Sequence, residues 1–109
     1  MLKMYGLAPN IIQFIQGVFQ KYPEVKKAIL YGSRAKGNYR TGSDIDLTLE
    51  GDDLNLTILQ KIENDIDDLL LPYRIDLSIL NHISNPDILA HIQRFGKEFY
   101  PVDSIIINK

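Results

Sequence analysis

Asp44 and Asp46 flank a single isoleucine in the stretch "SDIDLTLEG", and Asp76 lies in a second stretch of the same pattern, "YRIDLSIL". In an extended strand, residues i and i+2 project to one side, about 6.6 Å apart along the chain. Asp44 and Asp46 therefore stand side by side. If the strand holding Asp76 is adjacent, its carboxylate joins them. At ~4 Å and an effective dielectric near 20, each such pair of like charges costs about 4 kcal/mol. A face of this kind calls for protons or cations. Magnesium suits it, because it takes oxygen ligands and keeps open positions for phosphate.

Upstream, Gly32-Ser33 closes the apolar run "VKKAILYG" and opens a short turn, "SRAK", ended by Gly37. A glycine allows backbone N–H groups to approach a phosphate closely, and the start of a helical turn presents unpaired N–H groups to an anion. A phosphate cradle beside a carboxylate clamp is what in-line phosphoryl or nucleotidyl transfer requires. Arg34, Lys36 and Arg40 are candidates to neutralise phosphate charge, weighed against a plain solvated basic loop. Ser43 either donates to phosphate or only starts a strand. Tyr39 and His82 read most simply as loop residues, His91 as a structural helix residue, Arg74 as a partner for Asp76, and the acidic cluster at 63–68 as a solvated helix face. No G-x-x-x-x-G-K-[ST] is present, which disfavours P-loop chemistry.

The elements that must position these residues follow from periodicity. Residues 9–22 place Ile11, Ile15, Val18 and Tyr22 on one helical stripe, with Pro9 suited to a first turn. "VKKAILYG" predicts a buried strand. "SDIDLTLEG" alternates, with Ile45, Leu47 and Leu49 opposite Asp44, Asp46, Thr48 and Glu50. Leu59, Ile62, Ile66 and Leu69 recur at helical spacing. "YRIDLSIL" alternates again. Ser84 three residues before Asp87 predicts a variant capping box for a helix with Ile88, Ile92 and Phe95 on its stripe. A last strand is expected in "KEFYPVD", and "SIIINK" stays ambiguous. The order predicts a single α/β (α+β) domain over residues 1–109: a mixed sheet of about four strands, with helices on one face.

Composition narrows the chemistry. The 109 residues suit one domain, and 45% apolar and 24% charged residues are ordinary for a soluble protein. No apolar run approaches the ~18 residues of a membrane span, and the N-terminus lacks a signal-peptide core. A cytoplasmic protein is expected. There are no cysteines and two histidines, so any metal is held by oxygen. Residues 20–41 carry six Lys or Arg and one Glu, while residues 44–87 carry eleven Asp or Glu and two Lys or Arg. The strongly cationic footprint of a nucleic-acid binder is absent.

"GS", ten residues, then "DID" resembles the signature of the DNA polymerase β-like nucleotidyltransferase superfamily. The small size and the strings "GSRAKGNYRTGSDIDL" and "RIDL" look like its minimal nucleotidyltransferases (MNT), the antitoxins of HEPN–MNT toxin–antitoxin pairs. The resemblance spans about Val25 to Leu80. It implies a polymerase β-like fold with two Mg2+ ions on Asp44 and Asp46, and Asp76 as third carboxylate, helping hold the catalytic metal and taking the acceptor's proton. Gly32 and Ser33 would contact nucleotide phosphates, with Arg34 and Ser43 as further nucleotide-binding candidates. It implies AMP transfer from ATP to an acceptor hydroxyl, a tyrosine of a HEPN toxin encoded nearby. No membrane is expected, and homo-oligomerisation stays open. Two other readings remain: a module that neutralises a toxin by contact alone, and a nucleotidyltransferase acting on a small molecule, which usually needs a second domain.

Overall fold

The structure, a computed structural model, describes residues 3–101. Helix α1 (Pro9–Gln20) opens with proline at its first position, where the missing N–H costs nothing, and buries Ile15, Val18 and Phe19. Strand β1 (Lys27–Tyr31) leads through Gly32 into a single helical turn, α2 (Ser33–Lys36), closed by Gly37 at φ 99°. Strand β2 (Ile45–Glu50), helix α3 (Leu56–Asp67), strand β3 (Ile75–Ile79) and a 3-10 turn (Leu80–His82) follow, then helix α4 (Pro86–Phe95) and strand β4 (Lys97–Tyr100). "SIIINK" lies outside the described residues.

The four strands form one mixed sheet in the order β3-β2-β1-β4. β1 runs antiparallel to both neighbours, while β2 and β3 are parallel, joined by the α3 crossover that a parallel pair needs. In register, Leu30, Leu47 and Leu77 share one row and Ala28, Leu49 and Ile79 the next. These side chains make the apolar face. α1 and α3 cover it with Ile15, Val18, Phe19, Ile62 and Ile66. Tyr22 Oη donates to Asp65 Oδ2 at 2.5 Å and ties the two helices together.

The helices are not all on one face, as the sequence had suggested. α4 packs against the opposite side, where a Cβ at Gly96 would meet Ile29 Cγ2 at 2.8 Å. The reason is that Ile29 makes this face partly apolar, so it too needs cover. The α4 cap is also one residue later than expected. Asn85, not Ser84, accepts from the N–H groups of Asp87 and Ile88 at 2.8 and 3.3 Å. Asn and Ser cap equally well, and Pro86 at the first helical position selects the residue just before it. Among the described residues, no helix is long and apolar enough to cross a membrane.

Candidate functional site

Asp46 and Asp76 are direct partners across β2 and β3, and Tyr31 of β1 pairs with Asp46 on its other side. Tyr31, Asp46 and Asp76 therefore form one row across three strands, on the face opposite the core. Neighbouring strands lie about 4.8 Å apart, so the two carboxylates are close neighbours. The adjacency of the Asp76 strand, conditional in the sequence, is met by the fold. Asp44 precedes β2 by one residue, on the same side as Asp46, and is exposed, as is Asp76, while Asp46 is half-buried.

Asp46 is held above the usual carboxylate range, first by burial and then by the negative charges of Asp76 and Asp44. Burial also pushes up the Tyr31 phenol, reinforced by Asp46 and Asp76 and opposed by a hydrogen bond with Ser78. Among the described residues, no Lys or Arg forms an ion pair with this row. Among the described residues, no three acidic or imidazole groups close around a single point. The donor set nevertheless fits a hard divalent cation: it is all oxygen, anionic and open on one side.

Gly32 sits at φ 78° and ψ −158°, a region essentially reserved for glycine. A Cβ there would overlap Asp46 Oδ2. Only a glycine lets the turn lie directly against the central carboxylate. The next N–H groups, of Ser33, Arg34 and Ala35, open α2 and have no carbonyl within it to bond. The Gly32 N–H is not among these free donors. It donates to His91 Nε2 at 2.9 Å.

Arg34 is only 3% exposed. Its Nε and Nη2 donate to the Ser43 carbonyl at 3.1 and 2.9 Å, and its Nη1 to the Tyr5 carbonyl at 2.8 Å. The guanidinium also lies 5.3 Å from the Tyr39 ring centroid and 5.1 Å from that of Tyr73. Arg34 is a strut between the Gly-Ser turn and the start of β2, and these contacts engage Nε, Nη1 and Nη2 within the protein. A buried guanidinium must be hydrogen-bonded, and two carbonyls remote in sequence provide this. Tyr39, read as a loop residue, is part of the same stack. Ser43 Oγ accepts from the Arg40 N–H at 2.8 Å, which shapes the loop and leaves its hydroxyl hydrogen available. Arg74 makes no ion pair with Asp76 among the described residues; its carbonyl accepts from the Ile45 N–H instead. His82 is exposed.

This strut predicts a stability effect. Arg34→Met leaves the Tyr5 and Ser43 carbonyls without their donors, a loss of about 2–4 kcal/mol. Arg34→Lys should recover only part of it, since an ammonium cannot reproduce the fork. Urea unfolding measures both. Weaker nucleotide binding at unchanged stability would place Arg34 in the phosphate site.

Sequence reasoning missed Tyr31 in the acidic row and His91 above it. Tyr31 was legible as the residue two after Ile29 in a strand. The place of His91 depends on how α4 docks, which no local pattern encodes.

The sequence model of the family described as polymerase beta, nucleotidyltransferase matches residues 13–105. Among curated proteins, none matches the chain significantly. Several solved structures share the fold. A toxin–antitoxin complex with AMP-PNP includes a chain with a TM-score of 0.67 and 20% identity, covering 85% of this chain and 75% of that one. The toxin–antitoxin pair MntA-HepT gives a TM-score of 0.64 and 18% identity over 87% of this chain and 74% of the other. A complex of a tri-AMPylated Shewanella oneidensis HEPN toxin with its MNT antitoxin gives 0.56 and 18%, over 84% and 73%.

Proposed function

The chain belongs to the polymerase β nucleotidyltransferase family, and from that premise we propose that it moves AMP from ATP, with Mg2+, onto a hydroxyl of a HEPN toxin and so acts as that toxin's antitoxin. The observation that carries the reading is the row Tyr31–Asp46–Asp76 with Gly32 seated on Asp46. It gives the site a direction. The turn that would hold the phosphates lies at the β1 end, the central carboxylate between, and exposed Asp76 on β3, at the sheet's edge.

Asp44 and Asp46 would hold the divalent cation, with Asp76 completing the set. When bound, that cation would neutralise the carboxylates and the triphosphate and polarise the reacting phosphoryl oxygens. Ser33 and the first N–H groups of α2 would bind and orient the phosphates. Asp76, open to solvent, is suited to accept the proton of an incoming hydroxyl. As the acceptor oxygen bonds to the α-phosphorus, the bond to the β-phosphate oxygen breaks, and pyrophosphate leaves with the electron pair. Because Asp76 is exposed on the edge strand and the described residues build no wall around it, the acceptor is best supplied by another folded protein. Docking would then do the positioning, which can supply much of a rate enhancement.

The related folds support this choice of nucleotide and partner. One was solved with AMP-PNP, and another complex carries a tri-AMPylated HEPN toxin. A tyrosine is the favoured acceptor because its phenol is nucleophilic once deprotonated. Adding an anionic nucleotide to the toxin's working surface would block it by charge and volume.

Intact-mass spectrometry tests the reading. The product of the neighbouring gene, incubated with this protein, ATP and magnesium, should gain an AMP-sized mass, and peptide mapping should place it on tyrosine. The gain should vanish with Asp46→Asn. Full neutralisation of the toxin by Asp46→Asn without any mass change would instead establish antitoxin action by contact alone.

A further inference from the structure

α4 reaches the site through His91, whose Nε2 accepts from the Gly32 N–H at 2.9 Å across 59 residues of sequence. The ring is fixed by its neighbours. Its centroid lies 6.3 Å from that of Tyr31, edge-on at 72°, and 5.2 Å from that of Phe95. One turn further on, Gly96 closes against Ile29, so α4 is pinned to the sheet beside the site. The accepting role of Nε2 places the ring's proton on Nδ1.

Gly32 needs such an anchor. The β1–β2 ladder ends at the Tyr31–Asp46 pair, so no strand partner takes its N–H. It has no side chain that packing could hold, and glycine moves between backbone regions at little cost. Only its two peptide groups can fix it. Its carbonyl accepts from the Lys36 N–H at 3.0 Å within the α2 turn. The other anchor is His91.

We propose that His91 is a positioning residue for the nucleotide: it holds the Gly32 peptide so that the turn stays against Asp46 and presents Ser33 and the following N–H groups to the phosphates. This inference rests on the nucleotidyl-transfer reading above. His91 need not touch the nucleotide. It acts by keeping the free donors aimed, which a glycine at this backbone conformation cannot do for itself. Without the imidazole acceptor, the Gly32 N–H turns toward water, and the phosphate donors lose their common orientation.

Two variants separate the hydrogen bond from simple packing. His91→Gln keeps an acceptor oxygen at about the reach of Nε2, whereas His91→Leu keeps bulk and removes the acceptor. Two readouts are needed on the intact chain: hydrogen exchange of the Gly32 amide by NMR without ligand, and magnesium-dependent binding of a non-hydrolysable ATP analogue by calorimetry. His91→Leu should accelerate Gly32 exchange and weaken the analogue by about tenfold, the scale of one hydrogen bond. His91→Gln should restore most of both, and any activity assay should show the loss in KM more than in kcat. Wild-type affinity in His91→Leu, with faster Gly32 exchange, would overturn this proposal alone, as would equal weakening by Leu and Gln. A wild-type protein that binds no analogue would overturn the nucleotidyl-transfer reading, and this proposal with it.

Discussion

Asp46→Asn should raise the melting temperature of the metal-free protein at neutral pH and sharply weaken its magnesium-dependent nucleotide binding. The two effects have one origin. Asp46 is half-buried, paired with Asp76 across the sheet and two residues from Asp44. Its folded-state affinity for a proton is raised by burial and by those two charges. A carboxyl whose pKa is raised on folding binds more protons in the native state. Stability therefore falls as pH rises from the ordinary carboxylate value through the raised one, and the charged form stays costly above it. Asparagine removes that cost. The gain in melting temperature should be full at neutral pH and disappear in acid, below the unfolded-state value, where both side chains are neutral.

The same substitution removes the charge that would draw a divalent cation to the centre of the row. Two unit charges at ~4 Å and an effective dielectric near 20 attract by about 4 kcal/mol. Even discounted for the solvent around Asp44 and Asp76, this predicts ~100-fold or greater loss of metal-dependent affinity and of transfer. Differential scanning calorimetry across pH and titration of magnesium with an ATP analogue measure the two halves. A destabilised Asp46→Asn with undiminished binding would show that the row is an ordinary solvated strand face.

How much of this was legible in the sequence depends on the range of each interaction. The alternation of "DIDLTLE" and "RIDLSI" is a period-two signal, so the apolar face and the shared direction of Asp44, Asp46 and Asp76 could be read locally. The parallel pairing of their strands was implied by the α3 crossover between them. The burial of Arg34 is not legible locally, because its partners, the Tyr5 and Ser43 carbonyls, lie 29 and 9 residues away. A basic residue in a glycine-rich loop reads as a phosphate ligand until the chain closes over it. His91 reads as a plain helix residue because its place is set by the docking of α4 on the site's face. That docking follows from Ile29 and Gly96, which carry no periodic signature of it.

Gly32→Ala should damage both fold and site, and a double-mutant cycle with Asp46 can divide the damage. One part is backbone strain. At φ 78° and ψ −158° a residue with a Cβ is strained by about 1–3 kcal/mol whatever surrounds it. The other part is collision, because the new Cβ would overlap Asp46 Oδ2 and drive that carboxylate out of its row. Strain is indifferent to residue 46, whereas the collision ends when Asp46 is shortened. Gly32→Ala should therefore destabilise less in an Asp46→Ala background than in the wild type, with a coupling of about 1–2 kcal/mol in urea unfolding. In the otherwise native chain, Gly32→Ala should also lower transfer by ~100-fold, because the central carboxylate and the phosphate-holding turn are displaced together. Native-like circular dichroism with lost transfer would place the damage in the site. Additive stability effects would mean that Asp46 swings aside freely and that Gly32 is needed only for the turn. Coupling, by contrast, would show that the glycine is there because the carboxylate is.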